Sequence, residues 1–165
     1  MVLQHKNDQN YVPICLIAYG SNLSNKFGAS VDIVEAALDQ LSSFGLDLVR
    51  TSKFYRTPAF PPGAGPDFVN GVVACQTALS PSKVIKALHG IEADLGRTRS
   101  QRWEARVIDL DLIDFEGVIL PNRETHSIWR DLTLEQQMER APDQLILPHP
   151  RVQDRPFVLV PMKDV

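Results

Sequence analysis

Two aspartates, Asp109 and Asp111, sit one residue apart in the run Arg102-Trp103-Glu104-Ala105-Arg106-Val107-Ile108-Asp109-Leu110-Asp111-Leu112-Ile113. The Val, Ile and Leu of its second half mark a buried strand. Side chains alternate along a strand, so both carboxylates leave one face while Leu110 and Leu112 leave the other. Neighbouring like charges repel each other and are costly to desolvate, and a hard cation relieves both penalties. Magnesium takes oxygen ligands and shares them with substrate phosphates. One pair of carboxylates can bridge two such ions about 3.5–4 Å apart. Arg97, Arg99, Arg102 and Arg106 lie just upstream, with no lysine among them. Guanidinium forks grip phosphate oxygens in a way an ammonium cannot. The combination predicts a metal–polyphosphate site. Trp103, set among these charges, suits stacking on a base or closing over the site. Asp-x-Asp alone is a common pattern, found also in nucleotide-sugar transferases and polymerase palms. Two exposed acids on an edge strand would read the same way. The apolar Ile108, Leu110, Leu112 and Ile113 favour a central strand instead.

Two further groupings carry chemistry. The Pro- and Gly-rich stretch from Thr57 to Pro66 exceeds the usual 2–5 residues or so of a hairpin loop, which suits a lid or pocket wall. Phe60 and Phe68 flank it, and Asn70 shares a strand face with Phe68. An amide beside two rings suits a flat, hydrogen-bonding heterocycle. His149 lies in Leu147-Pro148-His149-Pro150-Arg151, where the prolines restrict its backbone. With Arg151 and Arg155 close by, a structural role and a nucleotide contact both fit it.

The elements that must position these groups follow from periodicity. Ile14 to Tyr19 reads as a strand, closed by Gly20-Ser21-Asn22. Residues 29–43 form an amphipathic helix through Val31, Val34, Ala37, Leu38 and Leu41, and Gly45 stops it. Leu46 to Tyr55 and Phe68 to Thr77 are strands. Ser80-Pro81-Ser82 opens a second helix with Val84, Ile85, Leu88, Ile91 and Leu95 on its apolar face, ended by Gly96. After the Asp109 strand, Glu116-Gly117 marks a turn from which Val118 to Leu120 pairs back. The order β-α-β-β-α-β predicts an α+β, ferredoxin-like sandwich with an added C-terminal segment. Residues 1–12 read as a flexible leader and 13–165 as one domain. Residues 121–144 read as an inserted excursion carrying a short helix at about 133–140, and the tail from Leu145 to Met162 docks on the domain.

The chain has 165 residues, 44% hydrophobic and 22% charged, with a net charge of −3. That is the profile of an ordinary globule, and it disfavours nonspecific nucleic-acid binding. No apolar run reaches the roughly 18–20 residues of a membrane span. Cys15 and Cys75 lie in apolar strands and read as reduced core residues of a cytoplasmic protein. A monomer acting on small molecules, with neither nucleic acid nor membrane as partner, is expected.

Seven segments, in order, resemble the 6-hydroxymethyl-7,8-dihydropterin pyrophosphokinase family. They are Ala18-Tyr19-Gly20-Ser21-Asn22-Leu23, Phe54-Tyr55-Arg56-Thr57-Pro58, Pro66-Asp67-Phe68-Val69-Asn70, Ile91-Glu92-Ala93-Asp94-Leu95-Gly96-Arg97, Arg102 to Asp111, Leu147-Pro148-His149-Pro150, and Arg155-Pro156-Phe157-Val158-Leu159. The resemblance implies transfer of pyrophosphate from MgATP to the pterin hydroxymethyl group, releasing AMP, in folate biosynthesis. It implies two magnesium ions on Asp109 and Asp111, and Arg97 and Arg106 as catalytic phosphate-holding groups. It further implies an ATP site of Glu92, Arg99, Trp103, Leu112, His149 and Arg155. The pterin would be held by Thr57, Pro58, Phe60, Phe68, Asn70 and Phe157, its ring between Phe60 and Phe157. Glu104 stands where the family usually has Gly, Phe68 replaces a common Tyr, and residues 121–144 are longer than in compact members.

Overall fold

The computed structural model describes residues 11–59, 63, 65–97 and 107–165. Its elements run β1 (Ile14–Ser21), α1 (Ser30–Gln40), β2 (Asp47–Thr51), β3 (Tyr55–Thr57), β4 (Phe68–Gln76), α2 (Pro81–Asp94), β5 (Asp109–Phe115), α3 (Arg123–Arg130), α4 (Leu134–Glu139) and α5 (Pro156–Leu159). The strands form one sheet in the order β2-β4-β1-β5, with β3 also paired to β4. Every pairing is antiparallel. Two β-α-β units interleaved in this order make the ferredoxin-like arrangement expected from the sequence.

One sheet face is covered by α1 and α2. Ile33, Val34 and Ala37 of α1 and Val84, Leu88 and Ile91 of α2 pack on Ile17, Tyr19, Val73, Leu110 and Leu112. The opposite face carries a smaller cluster of Ala18, Val72, Ile113 and Val158, with Val152, Met162 and Val165 against it. The C-terminal segment therefore docks on the sheet, as the tail reading required. Asp164 anchors it there, accepting from the Lys53 N–H at 3.1 Å and the Tyr55 hydroxyl at 2.9 Å. Cys15 and Cys75 face each other across β1 and β4 as free, buried thiols. Burial pushes both up to about 12, so they stay protonated and inert.

Four expectations need correction. The predicted strand from Leu46 to Tyr55 is interrupted: the Ser52 hydroxyl accepts from Val72 N–H at 3.0 Å, a side-chain bond in place of a ladder bond, so β2 and β3 are separate. Val118 to Leu120 does not pair back on β5; Leu120 instead bridges to Leu147. Within 121–144 the expected helix is present as α4, but α3 precedes it, nucleated by the Asn122 side chain accepting from Thr125 N–H at 2.9 Å. Finally, β5 is an edge strand, not a central one. Its outer edge is lined by the Pro148 segment, where His149 N–H donates to Ile113 carbonyl oxygen at 2.7 Å. A strand covered by the helices on one face, by Val158 over Ile113 on the other, and along its edge carries the apolar pattern of a central one.

Candidate active site

Register assembles the site on the sheet face away from the helices. Gly20 of β1 pairs with Asn70 on one side and Asp109 on the other, and the next same-face row joins Val72, Ala18 and Asp111. With strands roughly 4.7–4.9 Å apart, Asn70 and Asp109 stand about 10 Å from each other across a residue that has no side chain. The absence is required: a Cβ on Gly20 would lie 2.6 Å from Asn70 Oδ1. Asn70 is 5% exposed, and its amide donates to Thr57 Oγ1 at 2.7 Å. Phe68 and Thr57 are opposite each other on β4 and β3. Thr57, Phe68 and Asn70 are thus brought together as predicted, and Pro58 follows directly on the exposed side.

At the other end of the row each aspartate holds an arginine. Arg97 Nη1 lies 2.8 Å from Asp109 Oδ1, and Arg155 Nη1 lies 2.7 Å from Asp111 Oδ2. The position of Arg97 has a local cause. Gly96 takes φ +89, a left-handed conformation that ends α2, and Arg97 N–H closes back on the Glu92 carbonyl at 2.9 Å. This turn directs the guanidinium to the Glu92 carboxylate as well as to Asp109. Glu92 is 2% exposed, and its Oε1 also accepts Leu110 N–H at 2.8 Å. Glu92 therefore reaches the site through Arg97 and the β5 backbone.

The other predicted residues divide. Phe157, 41% exposed, lies beside Arg155, whose guanidinium carbon is 6.0 Å from the ring centre. His149 and Arg155 both line a cavity of about 220 Å³ that also includes Trp129, Leu145, Ile146 and Pro150. Arg151 N–H donates to His149 Nδ1 at 3.2 Å, which leaves Nε2 as the protonated nitrogen of the neutral ring. Burial, with Arg155 and Arg151 adding to it, lowers His149 to about 4, although Asp111 opposes the shift. The ring is neutral through the physiological range. Leu112 is not brought to the site: alternation along β5 turns it onto the helix face, 3% exposed in the core. Phe60, Arg99, Trp103 and Arg106, with Glu104, lie outside the described residues.

Sequence reasoning missed Gly20, whose signal was its place opposite Asn70 in a paired register. It also missed Asn22, 4% exposed, whose amide donates to Pro66 carbonyl oxygen at 3.3 Å and ties the β1 end to the loop before β4. Ser21 beside it donates to the Val107 carbonyl at 2.5 Å and holds the entry to β5.

Asp109 and Asp111 suit magnesium. Their side chains keep 27% and 32% exposure and present hard oxygens from one face. That small donor set matches a cation that keeps its waters and takes further oxygens from a substrate.

Residues 16–165 match the family described as 7,8-dihydro-6-hydroxymethylpterin-pyrophosphokinase (HPPK). The chain belongs to this family. Curated relatives agree over most of its length. A Synechocystis 2-amino-4-hydroxy-6-hydroxymethyldihydropteridine pyrophosphokinase is 35% identical over 144 residues, covering 87% of this chain and 63% of its own. One from Haemophilus influenzae is 33% identical over 150 residues, covering 90% of this chain and 79% of its own. The chain therefore spans less than two thirds of the Synechocystis relative. A Plasmodium falciparum HPPK-DHPS, crystallised with pterin and p-hydroxybenzoate, shares the fold with a TM-score of 0.64 at 15% identity, over 96% of this chain and 41% of that one. Among the described residues no helix is long and apolar enough to cross a membrane.

Proposed function

We propose that this chain transfers pyrophosphate from MgATP to the hydroxyl of 6-hydroxymethyl-7,8-dihydropterin and releases AMP, a step of folate biosynthesis. The observation that carries the reading is the row Asn70–Gly20–Asp109. It sets a heterocycle-binding amide and a cation-binding carboxylate on one face with bare backbone between them. Asn70, oriented by Thr57, presents a hydrogen-bonding edge to the pterin, and Phe68 and Phe157 supply ring surfaces, with Pro58 beside Thr57 and Phe60 assigned to the pterin by resemblance alone. Asp109 and Asp111 would hold two magnesium ions, which supply charge neutralisation to the triphosphate when bound. Arg97 and Arg155, already at the carboxylates, add guanidinium donors for phosphate oxygens, and the family resemblance assigns Arg106, Arg99 and Trp103 to the same ligand. Neutral His149 offers Nε2–H as a donor beside the ATP.

No protein nucleophile is required. The substrate hydroxyl attacks the β-phosphorus and releases its proton to solvent, the bond from the β-phosphorus to the α–β bridging oxygen breaks, and that oxygen leaves with AMP. The protein contributes alignment and preorganised positive charge. We take residues 13–165 as one functional unit, acting as a cytoplasmic monomer. The test is a product assay with ATP, magnesium and the hydroxymethyl pterin. AMP and pterin diphosphate are expected in equal amounts, and formation of ADP would overturn the assignment.

A further inference from the structure

The excursion 121–144 has no part in the reaction described above, yet it delivers Trp129 to the cavity that His149 and Arg155 line. Trp129 belongs to neither hydrophobic cluster and is partly exposed, so it is not a core residue. Its placement is built. The Asn122 cap starts α3. His126 Nε2 lies 3.0 Å from the Pro148 carbonyl, Arg151 Nη2 donates to the Gln137 carbonyl at 2.6 Å, and Gln153 Nε2 to the Arg130 carbonyl at 3.3 Å. These bonds fasten both helices of the excursion to the segment that carries His149. The Arg140 guanidinium carbon sits 5.3 Å from the Trp129 ring centre and helps hold the ring.

The cavity says what the ring is for. At about 220 Å³ it falls below the roughly 300–1,000 Å³ of pockets that enclose whole ligands, and fits one flat ring system. Leu145, Ile146 and Pro150 make it apolar, with His149 and Arg155 as polar groups at its wall. Arg155 is shared, since the same guanidinium pairs with Asp111. A nucleotide whose phosphates lie at the acid pair runs past Arg155, with its base directed into this cavity.

We propose that Trp129 is a specificity-determining residue that stacks on the nucleobase of the nucleotide substrate, and that the excursion exists to place it there. The inference rests on the pyrophosphokinase reading and adds to it a base-selecting contact. Stacking of a base on an aromatic side chain corresponds to roughly 5- to 140-fold in affinity.

The test compares calorimetric binding of a non-hydrolysable ATP analogue with that of inorganic tripolyphosphate, both with magnesium. Trp129→Leu is expected to weaken the ATP analogue by that factor and leave tripolyphosphate unchanged, while Trp129→Phe retains most of the affinity. In turnover, Trp129→Leu raises KM for ATP with kcat preserved, the sign of a contact made equally in ground and transition states. A Trp103→Phe chain provides a readout with the Trp129 ring intact: its remaining tryptophan emission is expected to change with the ATP analogue and not with tripolyphosphate. Equal effects on the two ligands, or emission that ignores the base, would overturn the inference while leaving a wild type that forms AMP as a pyrophosphokinase. A wild type that binds neither ligand would overturn both.

Discussion

Glu92→Gln isolates one charge at the centre of the site. The Glu92 carboxylate is 2% exposed, takes Leu110 N–H at 2.8 Å and holds Arg97, which is itself shared with Asp109 at 2.8 Å. Glutamine keeps the shape and an oxygen for Leu110 and removes only the charge. A hydrogen bond to a charged group nets about 1.5–3 kcal/mol, and breaking a buried pair outright costs about 3–5 kcal/mol. Arg97 retains Asp109, so the lower range applies, and a loss of about 2 kcal/mol is expected. For a chain of this size that lowers Tm by about 4–8 °C. Urea unfolding would show a lower midpoint at an unchanged slope. Glu92→Leu also orphans the Leu110 N–H and should cost a further 1–3 kcal/mol or so. Arg97→Met removes the Arg97 cation from the buried Glu92 carboxylate, and adding Glu92→Gln to it should recover part of that loss. If Glu92→Gln stays within about 0.5 kcal/mol of wild type, or its effect simply adds to that of Arg97→Met, the three-residue network does not hold Arg97 as described.

Gly20→Ala places a methyl 2.6 Å from Asn70 Oδ1. Overpacking of this kind costs about 1–3 kcal/mol, and turning the amide off Thr57 should depress pterin affinity more than ATP affinity in paired titrations. His149 predicts a pH effect. Its folded value is about 4 against an ordinary value near 6.5. As pH falls from 6.5 to 4 the unfolded chain binds a proton that the folded chain refuses, so up to about 3 kcal/mol of stability is lost in that window. Urea midpoints of the wild type should therefore fall more steeply from pH 7 to pH 4 than those of His149→Gln; parallel curves would contradict the burial argument. Phe157→Ala should weaken pterin binding about tenfold with a smaller effect on ATP, the loss expected for an aromatic contact, and equal weakening would argue against ring stacking.

Much of this was legible in the sequence because it rests on short-range pattern. Period-two and period-3.6 apolar spacing located β1, β4, β5, α1 and α2, and strand alternation put Asp109 and Asp111 on one face. The failures have long-range causes. The edge position of β5 depends on covers supplied by the C-terminal segment and the Pro148 stretch, which are remote in sequence. The break between β2 and β3 depends on one hydroxyl, that of Ser52, replacing a ladder bond. Leu112 was assigned to the ATP site by resemblance although its own alternation with Asp111 turned it inward. The helix α3 is polar, and only Asn122 with Thr125 three residues on marked its start. The pairing of Asn70 and Asp109 with Gly20 is a fact of register and had no local signal.

The bare row at Gly20 makes the sheet a ruler. Two ladder spacings, set by backbone hydrogen bonds, fix how far the backbone of Asn70 stands from that of Asp109, and no loop movement alters that length. On the proposed function, the span between the pterin end and the metal end of the site is already written into the strand pairing.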